Sequence, residues 1–364
     1  MSLCRKRLET IEALKNDIHC LAADLKHVVQ LMEVCGTHSH VIGRFGIRQL
    51  LPESVRLISG PGCPVCVTTA GQVAAAVEIA RRGAIVATFG DMVRVPGPTG
   101  SLADARAEGC DVRVIYSPMQ SLDIAAAEAP RDVVLIAVGF ETTAPGVGAT
   151  VRAAAEAGIG NFSVLCLHKL IPPALSVLAA DPHVRINGFI CPGHVSVIVG
   201  ARAYEAVARQ FGIPCVVAGF EPEDILLAIR MLLAQIAEDR ACVENAYGRA
   251  VSWEGNRRAQ RLIAEVFEPA AAAWRGLGVI PESGLSLREP WARYDAALRL
   301  EVEWVEYPEP EGCCCGQVLR GMVSPSECPL FGSACTPSSP VGPCMVSSEG
   351  SCAAVFRYER AVAH

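Results

Sequence analysis

No apolar run in this sequence is long enough to span a bilayer: the longest, such as Val133 to Phe140, stops far short of the ~20 residues a crossing helix needs. The net charge of −6 is spread along 364 residues, which argues against a nucleic-acid surface. Neither a Walker loop nor a dinucleotide fingerprint is present, so a nucleotide site has no support. The N-terminus, Met-Ser-Leu-Cys-Arg-Lys-Arg, is basic, yet a charged amphipathic pattern follows where a signal peptide would have its apolar stretch. The expectation is a soluble, cytoplasmic protein with no membrane and no nucleic-acid partner.

Cysteine, by contrast, is abundant. There are 17, and seven of them lie beyond residue 312. With no export signal they do not read as a disulfide framework, and in a reducing compartment clustered thiols usually serve metal or redox chemistry. Cys4, Cys20, Cys110, Cys166, Cys215 and Cys242 sit in apolar or helical surroundings and read as small buried hydrophobes.

The length allows two or three domains. Apolar groups at helical spacing over 5–30 predict an opening amphipathic helix, followed by a short apolar run, Leu31–Val34, that delivers Cys35 to a loop. Residues 41–52 look helical, 55–59 a strand, and Thr69 to Arg82 a helix. Then short apolar strands at 84–89, 112–116, 133–139, 162–167, 186–190 and 215–219 alternate with helices near 101–108, 118–129, 147–157, 172–180, 194–211 and 222–239. That rhythm predicts βαβ units on parallel sheets. Gly-Phe-Glu closes two of these strands, at 139–141 and 219–221, a hint of internal duplication that chance could equally produce. Beyond 240, helical patterns at 255–267, 268–275 and 290–300 give way to Pro, Gly, Ser and Cys. The fold class expected is α/β, with two related parallel-sheet βαβ domains and a mainly helical or irregular C-terminal domain. The boundaries are 1–120, 121–240 and 241–364.

Three groups of residues carry chemistry. The tail reads Cys313-Cys314-Cys315-Gly, then Cys328, Cys335, Cys344 and Cys352. Tight zinc knuckles are absent apart from the 313–315 run, whereas iron–sulfur clusters accept irregular spacing, so a [4Fe–4S] cluster precedes zinc as the expectation. A disordered or disulfide-linked tail is the plain alternative. Cys63-Pro-Val-Cys66 follows a Gly-Pro-Gly turn at a helix start, the arrangement of redox dithiols, although two knuckle ligands or two inert thiols would look the same. Cys35, His38 and His40 form a thiol–imidazole group suited to Fe, Zn or Ni, or to a Cys nucleophile with a His base. Asp91, Glu141 and Glu221 each follow an apolar strand, where α/β sheets place ligand groups and where helix caps also occur. His194, near Cys191, sits at the same kind of edge.

With these residues in view, the sequence resembles the HypD family of [NiFe]-hydrogenase maturation proteins. The likeness is carried by Cys-Gly-Thr-His at 35–38, Gly-Pro-Gly-Cys-Pro-Val-Cys at 60–66 and Phe-Gly-Asp-Met-Val-Arg-Val-Pro-Gly at 89–97. It continues through Gly-Phe-Glu-Thr-Thr-Ala-Pro-Gly at 139–146, Cys-Pro-Gly-His-Val at 191–195 and Cys-Met-Val-Ser-Ser-Glu-Gly at 344–350. The resemblance implies a [4Fe–4S] cluster in a C-terminal domain and a scaffold shared with a HypC-type chaperone. On that scaffold an Fe(II) gains two cyanides and one carbon monoxide. Cyanide would come from HypE with HypF, and the product would pass to the hydrogenase large subunit. By position, Cys35 would hold the iron with a HypC cysteine, His38 beside it, and Cys63 and Cys66 would be the redox pair. Cys328, Cys335 and Cys352 match the cluster pattern. The fourth ligand would come from the 313–315 run, where three consecutive cysteines stand in place of the family's Cys-x-Cys, with Cys313 ahead of Cys315. Cys344 would be a bystander. The rival activity is an iron–sulfur-dependent thiol–disulfide oxidoreductase.

Overall fold

The computed structural model describes residues 3–359. In chain order its strands are β1 (Val29–Glu33), β2 (Val55–Ser59), β3 (Ile85–Thr88), β4 (Val112–Val114), β5 (Val133–Ala137), β6 (Phe162–Cys166), β7 (Gly188–Pro192), β8 (Cys215–Ala218), β9 (Val243–Asn245), β10 (Phe267–Trp274) and β11 (Gly278–Leu287). Two sheets are wholly parallel, one in the order β2-β1-β7-β8-β9 and one in the order β4-β3-β5-β6. The α/β class is therefore as expected. Every residue of β5, Val-Val-Leu-Ile-Ala, is buried, as a parallel strand covered on both faces should be.

Sheet membership cuts across the sequence. β1 and β2 share a sheet with β7 to β9 through the β1–β7 pairing, and the four-stranded sheet is built wholly from the chain between them. The boundary expected at residue 120 falls inside that inserted sheet, between β4 and β5. One apolar core joins the two sheets, running from Met32, Val65 and Cys66 to Val86, Ile136 and Leu165, and it includes Cys315, Cys335, Cys344 and Cys352 of the tail.

Several local expectations are corrected. The opening helix is Leu3–Ala23 and stops short of residue 30, because Val29 already pairs with Val55 in β1. The expected helix 194–211 breaks at Gly200, whose φ is +84° and whose missing Cβ leaves room for the Trp253 carbonyl. Residues 268–275, alanine-rich and expected helical, are strand β10. Its antiparallel partner β11 supplies the pairing, and the Trp274 indole N–H donates to Ser283 Oγ at 2.8 Å. The expected helix 290–300 is a 3-10 segment, Glu289–Tyr294, followed by one turn, Ala296–Arg299. Strand β9 was not anticipated. Among the described residues no helix is long and apolar enough to cross a membrane.

Candidate thiol and metal centre

Cys35 stands where β1 passes into the helix Gly36–Arg44, as its N-cap residue in extended backbone. Its N–H donates to Glu33 Oε2 at 3.0 Å. Burial pushes the Cys35 thiol up to about 12, while the backbone N–H groups of His38 and Thr37 pull the other way. A thiol so placed ionises when a cation sits against it, which is how metal binding displaces a proton.

His38 and His40 are two positions apart on one helix and so face different sides. The buried His38 ring donates from Nε2 to the Gly219 carbonyl at 2.9 Å, and its Nδ1 is buried without a partner. Burial holds this imidazole down at about 4, so it is neutral at pH 7 with a free lone pair on Nδ1. His40 instead meets the Tyr358 ring edge-on, 3.2 Å from its hydroxyl. The three side chains expected to act as one group are therefore split, with His40 apart.

Cys63 is the N-cap of the one-turn helix Pro64–Val67, and it is joined to Cys66 in a disulfide with Cα atoms 5.2 Å apart. The turn before it is fitted to Cys35: a Cβ on Gly62 would lie 2.2 Å from the Cys35 nitrogen, and the Gly62 carbonyl accepts from Gly36 N–H at 3.0 Å. Glycine is required there by close backbone approach. The second sulfur reaches the tail, with Cys66 Sγ 4.0 Å from the carbonyl of Pro343, the neighbour of Cys344.

Cys35 opens on a cleft of about 690 Å³ between the sheets, with Thr37, Asp91, His194 and Glu349 also on its wall. His194 stacks on Phe220 with ring centroids 3.8 Å apart, and Phe220 in turn packs against His38. Asp91 accepts from Ser347 Oγ at 2.7 Å. The other two acids lie elsewhere. Glu141 accepts from Ile171 N–H at 2.9 Å, its Oε2 is buried without a partner, and burial raises it to about 7. Glu221 caps the helix Pro222–Ala237 and pairs with Arg7 on the surface.

The tail cysteines gather. Cys313, Cys314, Cys315, Cys328, Cys335 and Cys352 line one small apolar cavity. A Cβ on Gly342 would intrude to 2.7 Å from Cys315 Sγ and 2.8 Å from Cys313 Sγ, so the cavity depends on that glycine. Hydrogen bonding with Cys315 and Cys344 holds the Cys352 thiol below its ordinary range, while contacts with Cys315 and Cys352 drive fully buried Cys344 up. Soft thiol donors around an apolar space fit an iron–sulfur cluster. Among the described residues no three His, Cys, Asp or Glu side chains form a ready-made site for a single ion.

Two acids escaped the sequence reading. Glu33, fully buried, accepts from Ser39 Oγ as well as from Cys35 N–H, and burial raises it to about 7. An acid inside an apolar strand, Leu-Met-Glu-Val, was the available signal. Glu349 accepts from Thr37 Oγ1 at 3.1 Å and so ties the tail to the Cys35 helix. No local pattern could have announced a partner that distant in sequence.

The family model described as the hydrogenase formation hypA family, HypD, matches residues 9–359. The chain is 48% identical to the hydrogenase maturation factor HypD of Azotobacter vinelandii over 93% of its length and 91% of the relative's. It is 47% identical to that of Cupriavidus necator, covering 90% of this chain and 89% of the relative. With a hydrogenase expression/formation protein of Methanocaldococcus jannaschii, named as putative, it shares 42% over 99% of this chain and 98% of the relative. A match this even along the chain, from residue 9 to residue 359, places it in the HypD family of hydrogenase maturation factors.

Proposed function

We propose that this chain is a cytoplasmic assembly scaffold for the Fe(CN)2CO unit of [NiFe]-hydrogenase, with a redox thiol pair coupled to a [4Fe–4S] cluster. The observation that carries this reading is the contact of three sulfur sites: the Gly62 turn holds the Cys35 backbone, and Cys66 Sγ abuts Pro343 beside the tail thiols. The cargo is Fe(II) with its cyanide and carbonyl ligands. It is held by Cys35 and by a cysteine of a HypC-type chaperone docked at the cleft. HypE, with HypF, donates cyanide, and the hydrogenase large subunit receives the product indirectly. Strong-field ligands need a low-spin ferrous ion, for which thiolate is a suitable donor. His194 and Asp91 face the same cleft and are placed to contact cargo or partner. Glu141 and Glu221 support helix starts instead.

Cys328, Cys335 and Cys352 with Cys313, or Cys315 in its place, would hold the cluster, which supplies one-electron transfer when bound. The disulfide between Cys63 and Cys66 accepts two electrons and two protons to become two thiols, and returns them on oxidation. Both sulfurs are buried, which bars bulky disulfide substrates and favours exchange through the protein. Infrared spectroscopy of the anaerobically co-purified chaperone complex tests the scheme. Cys35→Ala should abolish the metal-bound cyanide and carbonyl bands and leave the visible cluster absorption intact. Bands that survive remove Cys35 as iron ligand. The disulfide itself favours a second reading, an iron–sulfur-dependent thiol–disulfide oxidoreductase. That activity would give steady-state turnover with small disulfides in the absence of any partner.

A further inference from the structure

A second cleft, of about 660 Å³, lies on the far side of Thr143 from the Cys35 site, between the helix Ala70–Arg81 and the β10–β11 hairpin. Lys169, 1% exposed, is on its wall, and Lys169 Nζ donates to Gln72 Oε1 at 3.3 Å. That amide belongs to the cap of the helix, since Gln72 Oε1 also accepts from Thr69 N–H and Thr69 Oγ1 accepts from Gln72 N–H. An ammonium is thus tied to the positive end of a 12-residue helix.

The charged and titratable neighbours supply no counter-ion. Cys166 and His168 form a neutral pair, Sγ 3.3 Å from Nδ1, with the thiol pushed up to about 12 and the imidazole down to about 3 by burial. The remaining imidazole N–H is engaged with Thr143 Oγ1. Asp295 accepts from Ala297 and Leu298 N–H at a helix start. Glu309 pairs with Arg275, whose buried Nη2 has no partner at all. Three carboxylates, Asp295, Glu306 and Glu309, line the same cleft, yet none of them forms an ion pair with Lys169, which is left with the neutral Gln72 amide at the helix N-terminus, in a cleft shared with the open Nη2 of Arg275. Much of the remaining wall is apolar or aromatic, including Leu165, the Ala270–Ala273 run and Trp304, with Ser286 and Glu306 as its other polar members. A buried ammonium is costly unless an anion accompanies it.

We infer that this cleft binds a small organic anion, an apolar body carrying one carboxylate or phosphate, with the anionic head at Lys169 and the cap of the helix Ala70–Arg81. The inference stands apart from the scaffold reading and shares no residue with it. Isothermal titration of the full-length protein with 3-phenylpropionate, its neutral amide and phenyl phosphate tests it. At least one anion should bind about tenfold or more tighter than the amide, a difference of ~1.4 kcal/mol, and which anion wins separates carboxylate from phosphate. Lys169→Met should bring anion and amide level, while Lys169→Arg should keep the preference. Equal binding of anions and amide to the wild-type protein, or no binding of any probe at millimolar concentration, overturns the proposal without reference to any variant.

Discussion

A single absent methyl group decides whether Cys35 and the disulfide can lie together. With Gly62 replaced by alanine, the new Cβ would meet the Cys35 nitrogen at 2.2 Å, against backbone that cannot swing aside. Gly62→Ala should cost on the order of 1–3 kcal/mol of stability, the usual range for overpacking, and weaken iron loading at Cys35. Chemical denaturation and the infrared bands of the chaperone complex would both report it. Glu141 gives a pH-dependent case. Its folded pKa of about 7 lies above the ordinary 4.5, so between those values the unfolded chain has released a proton that the folded chain keeps. Stability from this group therefore falls as pH rises through that window. Glu141→Gln keeps an acceptor for Ile171 N–H and loses the ionisation. It should match the wild type near pH 4 and exceed it near pH 8 by on the order of 1–3 kcal/mol, and urea denaturation at the two pH values checks this. Cys35, Cys63 and Cys66 stand out as candidates in the sequence because cysteine beside glycine turns is an uncommon pattern. Glu33 and Glu349 do not, because their importance lies in what folding brings beside them.

At the scale of elements, the β10–β11 hairpin shows where local preference loses. Ala270 to Ala273 favour helix by intrinsic propensity, yet they lie in a strand. Pro269 lacks an N–H for a helix interior, Gly276 and Gly278 take positive φ at the turn, and Trp274 is driven into the core against Phe140, ring centroids 6.2 Å apart. Tertiary burial of one large ring outweighs the small preferences of four alanines. Trp274→Ala should cost about 3–5 kcal/mol, the range for deleting a buried aromatic side chain, seen as a lowered urea midpoint. The hairpin tip also touches the cysteine-bearing helix Cys315–Leu319: a Cβ on Gly276 would sit 2.5 Å from Gly316 Cα. Gly276→Ala should therefore reduce cluster absorption in anaerobically purified protein, and unchanged absorption would disconnect the hairpin from the tail. Parallel strands such as β5 were read correctly because burial on both faces leaves an unbroken apolar run, whereas an exposed hairpin built of alanine leaves none.

Across the whole molecule, the tail acts as a clasp. Ser347 bonds Asp91, Glu349 bonds Thr37, Arg48 pairs with Glu359 at 2.6 Å, and Gly350 closes onto the Cys344 carbonyl. The helix Ser351–Tyr358 packs on the helix that Cys35 begins, as the Tyr358–His40 ring contact records. If thiol ligation supplies the order of this loop-rich segment, removing iron with a chelator under reducing conditions should raise hydrogen exchange at 313–358 and at 36–44 together. The four-stranded sheet should stay protected. Exchange confined to the tail would show that the clasp does not depend on the cluster.

By itself the sequence determined the parallel α/β class, the alternation of strands and helices, and which cysteines are candidates for chemistry, because these follow from side-chain pattern and from the spacing of cysteine. Only the tertiary structure decided that β1 and β2 join β7 to β9 around an inserted sheet, that His38 and His40 part company, and that Cys66 meets the tail at Pro343. Those outcomes depend on contacts between residues far apart in the chain. Their energy comes from burying apolar surface and pairing polar groups across the core, which no short window of residues contains.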